Sequence, residues 1–215
     1  MYPQPPRRTT HTTTSPKNLL VYDRWGHFGR PVVLLHGLLF DRTMWWPAAA
    51  ELASPGCTIV APDLPGHGQS PPRDDYRLER VAHDLAGLVN SLGLRRAPLL
   101  VGHGASALLA MIFADAYATY EVVTLDEPPA EALRIEDLAV TDGLDQIPEI
   151  FRSYAEPHRN PALLRAYESW VGQPPSRRSE PAMAGRTGSR PEEPDAAFQH
   201  LADPWGFAAV LRGLL

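Results

Sequence analysis

Apolar positions in this chain fall into short unbroken runs separated by amphipathic stretches. From Asn18, NLLVYDRWG alternates and then turns, and PVVLLHG is a continuous apolar run of the kind buried on both faces of a parallel sheet. The two read as adjacent strands. TMWWPAAAELA has helical propensity and ends before Pro55-Gly56, and CTIVAPD is a second buried run closing on the turn LPGHGQS. In DYRLERVAHDLAGLVNSLG, residues Leu78, Val81, Leu85, Leu88 and Leu92 share one helical stripe, stopped by Gly93. APLLVGH is the next apolar run, GASALLAMIFADAYATY a helix, and EVVTLDEPP a strand that ends at an acid and two prolines. This order predicts an α/β fold: an open, mostly parallel sheet with helices on both faces.

Beyond Pro129 the sheet pattern fades. Residues 131–173 read as helical pieces carrying Leu138, Ile147, Ile150, Phe151, Leu163, Leu164, Tyr167 and Trp170, a short cap over the sheet edge. Residues 174–195 are rich in proline and charge and read as a loop. DPWGFAAVLRGLL has a proline near a helix start and an apolar stripe through Phe207, Val210 and Leu214, predicting a closing helix. Residues 1–17, with Pro, Thr and Arg but no acid and no apolar stretch, are expected to form a disordered arm rather than a secretory signal. The remainder, 18–215, is of a size for one domain.

Composition narrows the partners. The net charge of -5 supplies no basic field for a phosphate backbone, so nucleic acid is not expected. No apolar run approaches the ~18 residues needed to cross a bilayer, so no membrane partner is expected either. The single cysteine, Cys57, leaves no internal disulfide and fits a cytoplasmic setting. No H-E-x-x-H or C-x-x-C spacing marks a metal, and no P-loop or dinucleotide fingerprint marks a nucleotide; neither metal nor cofactor is expected.

Three motifs carry chemistry, each at the end of a strand: LLHG, then APDLPGHGQS, then LLVGH. A His-Gly pair after a buried strand either simply ends the strand in a turn or turns the chain so that following backbone N–H groups face a pocket. In order, these motifs resemble the α/β-hydrolase family from about Leu20 to Asp126 and again from near Pro181. The resemblance implies an oxyanion nest and pocket around His36, Gly37, Leu38, His103, Gly104 and Ala105, with the N–H groups of Leu38 and Ala105 as donors. It also implies a Ser-acid-His triad, and here the sequence departs from the family. G-x-S-x-G reads Gly102-His103-Gly104-Ala105-Ser106, so the nucleophile position is Gly104. PAMAGRTGSRP resembles the stretch that carries the acid and puts Gly188 there, and AAFQHLADPWGF resembles the stretch after the base and puts Ala197 there. The short interval between those two positions leaves no room for the family's helix and strand, which predicts a shortened C-terminal sheet edge.

Three readings follow. One is a pseudo-hydrolase whose pocket binds a small acyl or ester-like ligand without turning it over. A second is a weak serine-type esterase, lactonase or C–C hydrolase using Ser106 with Asp126 and His200. Against it, Ser106 lies two positions along the helix, roughly 200° around from the elbow residue, where a small packing residue is expected; Asp126 reads rather as a turn residue, and His200 as packing for the closing helix. The third is a truncated, decayed copy without function. A shortened edge exposes backbone, and a homodimer is one way to cover it.

Overall fold

The computed structural model describes residues 7–13, 19–53, 56–126, 134–139, 141–172 and 198–215. Six strands form one sheet: β1 (Thr9–Thr12), β2 (Val21–Trp25), β3 (Arg30–Leu35), β4 (Cys57–Pro62), β5 (Leu99–His103) and β6 (Glu121–Leu125). Their order is β1-β2-β4-β3-β5-β6, with the β4-β3, β3-β5 and β5-β6 pairs parallel and the β1-β2 and β2-β4 pairs antiparallel. The expected mostly parallel sheet is therefore present. β2 and β3, read as neighbours from the sequence, are separated by β4.

The unbroken apolar runs become central strands because both faces of the sheet are covered. Along β3, Val33 and Leu35 enter the core on one side, while Val32 and Leu34 enter the core on the other. On the first face lie α2 (Leu78–Ser91) and α3 (Ser106–Ala116), whose Val81, Leu85, Leu109 and Phe113 pack against Val33 and Leu100. On the second lie α1 (Trp46–Leu52) and the closing helix α6 (Pro204–Leu214), whose Ala49, Phe207 and Leu211 share a core with Trp45, Ile59 and Val101. Two further short helices are α4 (Pro161–Ala166) and α5 (Gln199–Ala202). The stripe predicted for α2 is buried as read, and Gly93, at φ 67°, follows the helix end.

Thr9–Thr12 depart from the expected disordered arm over 1–17. These residues, three of them β-branched threonines, pair with β2, Thr10 Oγ1 donates to Asp23 Oδ1 at 2.7 Å, and the Leu20 N–H donates to Thr13 Oγ1 at 2.9 Å. The described part of the cap is a chain of short 3-10 helices (Ile135–Leu138, Leu144–Gln146, Glu149–Tyr154, Glu168–Trp170) around α4. It docks through aromatics: the Tyr167 hydroxyl donates to Pro65 O at 2.8 Å and Trp170 Nε1 donates to Tyr76 O at 2.7 Å. β6 ends the sheet, and no strand follows it among the described residues. Among those residues, no helix is long and apolar enough to cross a membrane.

Candidate active site

The carboxyl ends of the parallel strands meet where open α/β sheets bind ligands, and the three sequence motifs lie there. The HG turn after β3 is held from two sides. His36 Nδ1 donates to Gly37 O at 2.8 Å while its Nε2 accepts the Leu64 N–H at 2.9 Å, which fixes a neutral tautomer. Burial lowers its pKa to about 4. His67, from the second motif, donates through Nε2 to Leu38 O at 2.9 Å, and burial, with His36 beside it, also lowers its pKa to about 4. Turning the Leu38 carbonyl toward His67 sets the orientation of the neighbouring peptide. The sequence offered no role for His67; its place in PGHG, on the turn facing LLHG, was the available signal.

A second clamp holds the same loops. Arg42 pairs with Asp63 and stands 3.2 Å from Asp23 Oδ2, and its backbone N–H donates to Asp63 Oδ1 at 2.9 Å. Asp63 also accepts the Gln69 N–H at 2.8 Å, and Trp46 Nε1 donates to Asp23 Oδ2 at 2.7 Å. This buried network ties β2, the loop after β3 and the LPGHGQS turn together, and it too went unread in the sequence.

At the elbow between β5 and α3, Gly104 has φ 56°, and its N–H donates to Leu125 O at 2.8 Å. Gly102 lets the helix approach the strand: a Cβ there would lie 2.4 Å from Ser106 O. Neither the Leu38 nor the Ala105 N–H donates to another described residue. Ser106 is fully buried, and its Oγ donates to His36 O at 2.5 Å, fastening α3 to the HG turn.

Asp126, at the end of β6, has the left-handed φ of 49°. Its Oδ2 accepts the Phe198 N–H at 3.0 Å and stands 3.1 Å from His103 Nε2, off the line of a good hydrogen bond. His103 is fully buried; the Asp126 side chain is 19% exposed. His200 lies between Trp45, ring centroids 4.3 Å apart, and Phe207 of α6, with His103 at 5.4 Å. Neither of its ring nitrogens has a hydrogen-bond partner among the described residues, and burial lowers its pKa well below the ordinary value. Ser106, Asp126 and His200 are thus not hydrogen-bonded to one another: the serine faces His36, the acid faces His103 and Phe198, and His200 faces Trp45. Gly188 and Ala197, and the loop expected over 174–195, lie outside the described residues. Among the described residues, no group of three or more His, Cys, Asp or Glu could hold a metal.

Residues 32–214 match the model of the Alpha/beta hydrolase family. The chain belongs to that family. An uncharacterized protein of Mycobacterium tuberculosis is 39% identical over 87 residues, which is 40% of this chain and 25% of that protein. Epoxide hydrolase 2 of Siraitia grosvenorii is 32% identical over 106 residues, 48% of this chain and 33% of that one. This hydrolase-family chain thus spans a third or less of the length of these two relatives. Among solved structures, the epoxide hydrolase CorEH without ligand is similar with a TM-score of 0.52 and 28% identity, covering 57% of this chain and 44% of that one.

Proposed function

We propose that this α/β-hydrolase family member binds a small acyl or ester-like molecule through the N–H groups of Leu38 and Ala105 and does not form an acyl-enzyme with it. One observation carries the reading: the elbow residue is Gly104, held at φ 56° where the backbone presents no side chain to attack a carbonyl. The resemblance that assigns the acid and base positions to Gly188 and Ala197 supports it further. So does Ser106, whose hydroxyl proton is engaged by the His36 carbonyl. The Leu38 and Ala105 N–H groups, which donate to no other described residue, support an oxygen acceptor as the ligand's anchoring group. On this reading the protein is a pseudo-hydrolase with respect to serine chemistry.

The test is intact-mass analysis after treatment with a fluorophosphonate, together with thermal melting in the presence of acetophenone, a carbonyl compound that cannot be hydrolysed. No adduct and a melting temperature raised by the ketone are expected. A stoichiometric adduct that disappears in Ser106→Ala would overturn the reading and make Ser106 a relocated nucleophile. A cooperative melt indifferent to the ketone would remove the binding role.

A further inference from the structure

The carboxylate of Asp126 stands beside the elbow with one oxygen held and the other without a partner among the described residues. β5 and β6 pair His103 with Leu125, and the Gly104 N–H donates to Leu125 O, so Asp126 follows directly alongside Gly104 at the ligand-facing end of the sheet. Its backbone is left-handed at φ 49°, a conformation that Asp adopts more readily than most residues other than glycine. Its two oxygens differ. Oδ2 is occupied by the Phe198 N–H and by the approach of His103 Nε2, whereas Oδ1 has no partner among the described residues on a side chain that remains partly exposed. A carboxylate anchored by one oxygen, with no partner at the other among the described residues, suits a positioned base.

Resting on the ligand reading above, we propose that Asp126 is a catalytic general base that delivers water directly to the acyl carbon of an activated ester bound at the Leu38 and Ala105 N–H groups. Oδ1 takes a proton from water as the water oxygen bonds to the carbonyl carbon. The resulting oxyanion is held by the two N–H groups. Its collapse breaks the bond to the leaving oxygen, which takes back the proton from the Asp126 carboxyl. Water and ester become acid and alcohol, the carboxylate is regenerated, and no bond to the protein is made. The Phe198 N–H anchors Oδ2, and His103, whose Nε2 stands 3.1 Å from the same oxygen, is a positioning residue in this scheme, limiting how far the carboxylate can turn. The titratable groups around it are Asp126 itself, His36 behind the HG turn and His200 from α5.

The probe is p-nitrophenyl acetate, with the full chain. Steady hydrolysis above the buffer rate is expected without a stoichiometric burst of p-nitrophenol, and in 18O-water the label should enter acetate and not the protein. Asp126→Gly suits the left-handed backbone, so it should still melt cooperatively, yet its kcat should fall by about 10²-fold or more, as for the loss of a general base. Added formate should restore part of that loss. His103→Gln, which keeps an N–H near the Nε2 position, should retain more of kcat than His103→Leu at unchanged KM. Asp126→Asn is the second variant should Asp126→Gly fail to fold. Wild-type rates in a folded Asp126 variant, a p-nitrophenol burst, label in the protein, or no turnover at all would each overturn the proposal. No turnover alongside a melting shift with acetophenone would overturn the general base alone and leave the binding reading standing; loss of that shift would remove both.

Discussion

Gly102 and Gly104 are two positions apart and answer to different constraints. At Gly102 the limit is space, since a Cβ would lie 2.4 Å from Ser106 O and 2.8 Å from Ala107 N, both backbone atoms of α3 that cannot swing aside. Gly102→Ala is expected to cost about 1–3 kcal/mol as overpacking, read as a lower urea midpoint. At Gly104 the limit is backbone angle, and Gly104→Ala should cost about 1–2 kcal/mol for placing a side chain at φ 56°. Arg42 is a different kind of position, because it pairs with two fully buried carboxylates, Asp23 and Asp63. Removing one member of a buried ionic network leaves the others uncompensated, so Arg42→Ala is expected to cost about 3–5 kcal/mol in equilibrium unfolding. A near-neutral result would show that water reaches these carboxylates when the guanidinium is gone.

Between elements, the elbow is positioned by burial on one side and by hydrogen bonds on the other. α3 is apolar nearly all round because it lies between the sheet and α2, with Leu109 and Phe113 in the first core. Leu109→Ala leaves a cavity under β5 and should destabilise by about 2–5 kcal/mol in urea unfolding. The cap behaves otherwise: its short 3-10 turns have little regular hydrogen bonding of their own, and Tyr167 and Trp170 fasten it to the LPGHG turn and to Tyr76. Tyr167→Phe keeps the ring and loses the bond to Pro65 O, with an expected cost of about 0.5–1.5 kcal/mol. Protease cleavage within 141–172 should speed up in that variant before global stability changes.

Across the molecule, buried neutral histidines link stability to pH. His36 and His67 titrate near 4 in the folded protein against an ordinary value of 6.5. Between those values the unfolded chain binds more protons, so stability is full above about 6.5, declines as pH falls through that value and goes on declining toward about 4. The denaturant midpoint should therefore be lower at pH 5 than at pH 7, and His67→Gln, which keeps an N–H for the Leu38 carbonyl, should flatten the slope. Equal midpoints would contradict the neutral assignment. Much of the architecture was legible beforehand because burial on both faces demands unbroken apolar runs, as in VVLL of β3, and burial on one face demands the stripe of α2. The HG turn and the glycine elbow were legible because backbone geometry restricts which residues fit there. Local pattern carries no record of pairing between distant segments, so the placing of β4 between β2 and β3 and the addition of Thr9–Thr12 to the sheet had to come from the tertiary structure. The same holds for the clamp of Arg42 on two aspartates and for the carboxylate of Asp126. Its partner Phe198 is 72 residues away, and its oxygens became unlike only when long-range packing brought His103 and Phe198 to one of them.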